Sequence, residues 1–396
     1  MALNNLKDKT VLAILGVGSY TENTVSLLIN NYSRVVIVRI LNTTEGKVTC
    51  RIYEHQNLIW SYYVPFRFPK NYFITFITLP LTLIIQYISI IFVSILALNK
   101  IKGRYSICIA EFYTGFFCGY FLKNLTLVDK LVYWAIDWFP TKSRKETTLM
   151  SFIAIHVHPY LDLFCAKKAN TVWNFSKRII SARHSRWSNE TLKNINEEIV
   201  TPPLRIRNVY KNFISNKKSI GFIGILKNEQ GLKLAIETIL FLKQKGINLI
   251  LEIVGSGDRS YLEKQVNRLK IEENVIFHGF VKEDRELETI FSKCICGIAL
   301  FDYNDKNYSC YTWPSKVGFY LECGIPVVAT KCISFADEFE EKGLGFIVDP
   351  VVENVMNAII KLLNSDFNND RLINYVLSKS GEDIITRIDS ILTTGD

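Results

Sequence analysis

Residues 71–99, NYFITFITLPLTLIIQYISIIFVSILALN, contain no charged side chain. A run of that length can cross the hydrocarbon core of a bilayer, which needs about 20 apolar residues. The flanks restrict it more tightly. Strand-like runs precede it at Thr10–Leu15, Arg34–Leu41, Val48–Tyr53 and Leu58–Val64, and others follow at Tyr105–Ala110 and Leu131–Ile136. If these strands share one sheet, a crossing helix would leave half the sheet on each side of the membrane. Within the run, Thr75, Thr78, Thr82, Gln86 and Ser89 recur every three or four residues, a weakly polar stripe along one helical face. We read residues 74–98 as one helix that packs this stripe on the protein and lays its apolar face on lipid. Arg67, Lys70, Lys100, Lys102 and Arg104, with Trp60, Tyr62, Tyr63, Phe66 and Tyr72, are placed to anchor it at the interface. A fully buried core helix and a true span are the alternatives.

Charge supports an anionic surface. Residues 1–210 hold 25 Lys and Arg against 12 Asp and Glu, net +13; residues 211–396 hold 22 against 26, net −4; together these give the +9 of the chain. A basic first half suits nucleic acid or an anionic membrane, and the apolar run favours the membrane, with no nucleic acid as partner. The start, MALNNLKDKT, runs directly into a strand without the pattern of a signal peptide. Nine cysteines show no metal-like pairing, and Cys294 and Cys296 lie on an apolar strand. Buried free thiols in a reducing compartment follow.

A length of 396 residues exceeds what one core usually serves. From Arg104 onward strands and helices alternate, which implies parallel sheets. Glu197–Asn216, with Pro202-Pro203, reads as a linker. The expected division is an N-terminal domain over 1–205, a second domain over 206–375, and a terminal helix within 376–396 that can pack back on the first.

Four segments carry chemistry. Pro314-Ser315-Lys316 opens an amphipathic run that ends in Gly324-Ile-Pro and a buried strand at Val327–Ala329. A helix N-terminus with a lysine in its first turn is a site for a diphosphate. Gly221-Phe-Ile-Gly224, followed by Gln230-Gly231, is a strand-to-helix turn where glycine admits a phosphate to the backbone. Gly255-Ser-Gly257 is a second such turn, and Val275-Ile-Phe-His278-Gly279-Phe280-Val lies at the end of the next strand.

In order and spacing, these segments resemble the donor half of nucleotide-sugar glycosyltransferases with the GT-B fold, in particular the family 4 retaining enzymes. The resemblance covers residues ~219–365. Val132–Pro140 around Asp137, and Asn170–Ile179 through Trp173, Asn174, Ser176 and Arg178, resemble a family 4 subgroup that builds cell-surface polysaccharide. The fold implied is α/β, two Rossmann-like domains with parallel sheets facing a central cleft. The donor implied is a UDP- or GDP-sugar, with neither cofactor nor metal; the acceptor is a lipid-linked or polysaccharide chain, at the cytoplasmic face of the cell membrane, with the protein peripheral or monotopic. Donor contacts are expected at Gly16, Gly18, Gly224, Lys227, Gly255, Gly257, His278, Gly279, Phe280, Pro314, Ser315 and Lys316. Asp137, Asn174 and Arg178 are expected on the acceptor side, and Asp137, Glu111 and Lys316 in catalysis.

The departures are specific. Many family 4 enzymes carry a Glu-x7-Glu pair where this chain has Tyr311 and Phe319, and an Arg and a Lys where it has Ile225 and Gln230. The usual ribose contact is therefore not carried over, and Lys316 becomes the principal cation, with Lys227 as a second. Asp302-x-x-Asp305 has the wrong spacing for a metal pair. Two other outcomes remain open: a catalytically inactive membrane scaffold or subunit of this fold, and a GT-B sugar-nucleotide epimerase.

Overall fold

The computed structural model describes residues 8–16, 19–41, 47–65, 72–142, 147–207, 209, 218–302, 307–364 and 369–393. It forms two compact units, Met1–Pro203 with Gly381–Asp396, and Leu204–Ser380. The chain thus leaves the first unit at Pro203 and returns to it at Gly381, rather than at 205 and 376.

The first unit is built on β1 (Thr10–Leu15), α1 (Ser19–Asn31), β2 (Arg34–Leu41), β3 (Lys47–Glu54), β4 (Asn57–Pro65), α2 (Tyr72–Ile101), β5 (Tyr105–Glu111), α3 (Phe112–Asn124), β6 (Val128–Ala135), α4 (Leu149–Lys168), β7 (Thr171–Asn174), α5 (Lys177–Arg186), α6 (Asn189–Leu192) and β8 (Glu197–Ile199). Its eight strands run in the order β4-β3-β2-β1-β5-β6-β7-β8, with only the β2–β3 and β3–β4 pairings antiparallel. Residues 197–199 are therefore an edge strand parallel to β7, not linker, because Asn196 to Ile199 continues the backbone pairing that begins at Val172. The strands before and after the apolar run share this one sheet, and β1 pairs directly with β5.

Helix α2 lies along that sheet, packed on β2, β3, β4 and α3. Its Leu83–Ile101 stretch is apolar and long enough to cross a membrane, yet 44% of it is buried inside the structure. Both of its ends feed the same sheet, which a bilayer crossing would divide. Gln86, Ser89, Ile90, Val93, Ser94 and Ala97 form the inner face. The Ser89 and Ser94 hydroxyls donate to the carbonyls of Ile85 and Ile90 at 2.7 Å, so these two polar atoms are satisfied within their own helix. The outer face exposes Leu81, Leu83, Ile84, Ile85, Ile88 and Phe92. Thr75, Thr78 and Thr82 fall outside the described side chains, and Phe66, Arg67 and Lys70 outside the described residues.

The second unit holds β9 (Ser219–Ile223), α7 (Leu232–Gln244), β10 (Ile250–Val254), α8 (Ser260–Leu269), β11 (Val275–Gly279), α9 (Asp284–Phe291), β12 (Cys294–Ala299), α10 (Ser315–Glu322), β13 (Val327–Thr330), α11 (Ala336–Phe339), β14 (Gly345–Val348), α12 (Val352–Asn364) and α13 (Asn369–Ser378). Its all-parallel sheet has the order β11-β10-β9-β12-β13-β14. The strand order changes direction between β9 and β12, with crossovers leading away on either side, as it does between β1 and β5 in the first unit. In open α/β sheets ligands bind beyond the strand ends at such switch points. The returning helix α14 (Glu382–Thr393) is held in the first unit, where Tyr32 donates to Asp389 at 2.8 Å and Arg387 pairs with Glu198.

Candidate functional site

In the second unit the switch point holds a buried cation. Pro314, in extended backbone, caps α10 rather than starting it; Ser315 is the first helical residue, and Gly324 in the left-handed region closes the turn after Cys323. The helix start places Lys316 so that its Nζ stands 4.0 Å from the Phe222 ring centroid and 4.7 Å from that of Phe301, and donates to Gln230 Oε1. Phe222 is the penultimate residue of β9 and Phe301 follows β12, so the ammonium lies at the switch point between these two strands. A Cβ added to Gly224 would stand 3.3 Å from that nitrogen. No carboxylate among the described residues pairs with it, and burial pushes its pKa down to about 7. Two ring faces and an amide oxygen partly compensate the charge, but an uncompensated buried ammonium ordinarily costs several kcal/mol.

The glycine turns assemble around it. A Cβ on Gly255 would fall 1.7 Å from the carbonyl oxygen of Gly224, and both residues have positive φ, so the two turns pack backbone on backbone. Gly224 N donates to Val254 O at 3.0 Å and Gly255 N to Gly279 O at 2.7 Å. Gly257 bridges Leu226, fixing the loop. Gly279 has open space at its Cα, and Phe280 beside it is 74% exposed. Lys227 and Ser315 are exposed; Pro314 is buried.

His278 is placed differently from expectation. Its Nε2 meets Glu252 Oε2 at 2.6 Å, while Ser219 donates to Glu252 Oε1 at 3.1 Å. The ring ties β11 to β10 rather than presenting that nitrogen to a ligand. Glu322, the carboxylate of α10, does not replace the missing Glu-x7-Glu pair. It accepts from Arg207 Nε at 2.9 Å and from Arg205 N at 3.2 Å, and the Arg207 guanidinium lies 4.7 Å from the Phe319 ring.

The first unit has its own switch-point cluster. Glu111 ends β5, and its Oε2 accepts the Gly16 N–H at 2.7 Å from the end of β1. Phe112, at φ 55, bends the chain sharply into α3. Oε1 has no partner among the described residues. Burial raises the Glu111 carboxyl to about 7; the Gly16 amide and Arg39 oppose the shift and Asp137 adds to it. Asp137 lies just past β6, half-buried, and also helps raise the Tyr20 phenol above its ordinary range, after burial and Glu111. Gly16, Glu111, Asp137 and Tyr20 are thus one neighbourhood. Gly18 lies outside the described residues.

Asn174 is not available to an acceptor. It is fully buried; its Oδ1 accepts from Arg183 Nη1 at 3.0 Å and its Nδ2 donates to Glu198 O at 3.3 Å. Arg183 also holds Asp162 with Nε–Oδ2 and Nη2–Oδ1 bonds of 2.7 and 2.9 Å, and pairs with Glu197. Trp173 is core, edge-on to Trp134 at 5.5 Å. Arg178 sits half-buried in the first turn of α5, after the Ser176 cap. Sequence reading missed His158. It is buried on α4 against Trp138, Phe139 and Tyr113, with ring centroids 5.4, 5.0 and 6.0 Å away. Neither ring nitrogen has a hydrogen-bond partner among the described residues, and burial pushes its pKa down to about 4. A neutral ring therefore braces the two residues that follow Asp137. A histidine inside an apolar helix is the only trace of this in the sequence.

Comparison with known proteins places the second unit. Residues 207–378 match the glycosyl transferases group 1 family. A stretch of 103 residues is 32% identical to glucosyltransferase 3 of Streptococcus parasanguinis, covering 25% of this chain and 31% of that protein, so the chain matches about a third of its curated relative. Among solved structures, sucrose-phosphate synthase from Thermosynechococcus elongatus is similar over 97% of this chain and 98% of its own, with a TM-score of 0.65 and 12% identity. Anabaena Alr3699/HepE in complex with UDP is similar over 96% and 97%, with a TM-score of 0.62 and 13% identity. The fold is α/β with parallel sheets, that of the GT-B glycosyltransferases, and the match to the group 1 family lies within the second unit.

Proposed function

We propose that this chain is a glycosyltransferase that moves a sugar from a UDP- or GDP-sugar to a lipid-linked or otherwise membrane-presented saccharide. The transfer retains anomeric configuration, needs no metal, and belongs to cell-surface polysaccharide synthesis. The observation that carries the reading is the buried Lys316 ammonium at the β9–β12 switch point, without a carboxylate partner among the described residues and beside two glycine turns. A nucleoside diphosphate supplies the charge this pocket lacks. As the glycosidic bond to the diphosphate breaks, negative charge grows on the leaving oxygens, and a fixed cation in a dry site stabilises that charge most where water is absent. The N–H groups at the start of α10 add to the same field.

Asp137 is assigned to orienting the acceptor hydroxyl. The basic first unit and the exposed apolar face of α2 support attachment to the cytoplasmic membrane surface, with α2 lying on the bilayer and not crossing it. The position of Tyr311 and Phe319 favours a second reading, a subunit of this fold without catalysis. A panel of UDP, GDP, CMP and their sugars separates the two. Thermal stabilisation by one nucleotide, with slow hydrolysis of its sugar, supports the enzyme. Nucleotide binding without hydrolysis or transfer supports the subunit, and stabilisation by none of them overturns the donor site.

A further inference from the structure

Helix α4 exposes Leu149, Ile153, Val157, Tyr160 and Phe164, a stripe at spacings of four, four, three and four that follows one helical face; Tyr160 is 58% exposed. Between it and α2 lies α3. Helix α3 packs on both neighbours, with Tyr87 donating to Phe117 O at 3.2 Å, the Phe117 and Phe164 rings 5.4 Å apart, and Phe121 exposed between them. Monomeric proteins rarely leave so extended an apolar surface without an occupant.

Charge on these helices identifies the occupant. Together α2, α3 and α4 contain one carboxylate, Asp162, which is buried against Arg183. They contain four cations: Lys100, Lys123, Lys167 and Lys168, each in the last turn of its helix. Each helix leads by a short turn into one of the mutually parallel strands β5, β6 and β7, so all three helices end at the same edge of the sheet. The lysines therefore form one rim. Lys123 is tied to Asn170, beside the end of α4, at 2.6 Å. The opposite edge, where the strands end, carries Glu111 and Asp137.

We infer that α2, α3 and α4 form a single bilayer-binding face, with the lysine rim on anionic headgroups. The first unit then lies with the helical layer on the lipid, and α4 is as much a membrane element as α2. This rests on the membrane reading above and adds an orientation to it. It also gives α4 two roles. Its outer face meets lipid, while His158 on its inner face braces Trp138 and Phe139 next to Asp137. The acceptor-side carboxylate is thereby fixed to an element seated on the surface that presents the acceptor.

Flotation of the full chain with phosphatidylcholine vesicles, with and without one third phosphatidylglycerol, tests this. Ile153→Gln/Val157→Gln/Phe164→Gln is expected to lower partitioning tenfold or more on both vesicles, as is Leu83→Gln/Ile84→Gln/Ile88→Gln in α2. Lys123→Gln/Lys167→Gln/Lys168→Gln is expected to remove the preference for the anionic vesicles, on the order of a hundredfold. All nine native cysteines are buried, so Val157→Cys carries an environment-sensitive dye selectively, and its emission should shift to the blue on anionic vesicles. If the α2 variant is released while the α4 variant floats like wild type, the three-helix face is wrong and the α2 attachment stands. If wild type does not float, both fail. An unshifted dye on a floating protein overturns the inference, as does an α4 variant that dissociates a dimer without changing flotation.

Discussion

Replacing Lys316 by Met should make the second unit more stable and abolish its use of donor. The side chain keeps its length and loses its charge. A lysine held at about 7 in the folded chain and at 10.5 when unfolded carries a burial cost of about 4 kcal/mol at pH 7 and about 2 kcal/mol at pH 9, from the proton linkage between the two states. The sign follows from the depressed folded value. The cost is complete below about pH 7, shrinks as pH rises, and vanishes above 10.5. Wild type should therefore gain about 2 kcal/mol between pH 7 and pH 9 that Lys316→Met does not gain. At pH 7 the variant should melt on the order of 10 °C higher, given roughly 2–4 °C per kcal/mol for a unit of this size. Without the charge-assisted contact to diphosphate, turnover should fall about 100-fold or more. Thermal melts at pH 7, 8 and 9, with and without nucleotide, read both effects. A variant that melts lower than wild type by a constant amount across this range, or that keeps its nucleotide-induced shift, would refute the placement of an uncompensated cation in the donor site.

Other substitutions address the first unit. Asp137→Asn should keep nucleotide-induced stabilisation and lose transfer; loss of donor binding with acceptor use intact would contradict the assignment. Glu111→Gln keeps the acceptor for Gly16 N–H but cannot ionise. Since the raised carboxyl stabilises wild type fully below pH 4.5 and loses that contribution as pH passes about 7, wild type should lose about 2.5 kcal/mol between pH 5 and pH 8 that the variant retains; equal urea midpoints at both pH values would show the carboxyl to be ordinary. Arg183→Met should destabilise the first unit by about 3–5 kcal/mol, because Asp162 is left as a buried charge without its cation, while Glu197 keeps only its contact with His184. Arg183→Met/Asp162→Leu should recover much of that loss, and a double variant no more stable than the single one would argue against the pair.

The sequence revealed the elements whose residues act locally. Periodicity placed the strands of both sheets except the short edge strand β8, which read as linker, and the glycine turns announced the second unit because glycine is needed wherever two turns pack backbone on backbone, as at Gly224 and Gly255. Lys316 was legible as a cation at a helix start. Its lack of a carboxylate partner was not, because Phe222, Gln230 and Phe301 are brought to it from three other segments. Asn174 misled for the same reason. A polar residue at a strand end resembles a ligand contact until Arg183, nine residues later, is seen to turn back onto it. His278 on β11 is paired by Glu252 on β10, and no local pattern encodes that neighbour. The α4 stripe was overlooked because the run at 71–99 overshadowed it, and its one acid, Asp162, and Pro159 interrupt the apolar reading.

The return of the chain to the first unit has a consequence for synthesis. Residues 381–393 supply Ile384, Ile388 and Ile391 to the core of the first unit, yet they leave the ribosome after all of residues 204–380. The unit that begins first is completed last. During translation the second unit can finish folding while the first still exposes the seat of α14 alongside its apolar helices. Until residues 381–393 dock, a nascent chain in that condition leaves the apolar seat of Ile384, Ile388 and Ile391 open, so the core of the first unit closes only after the second unit has been made.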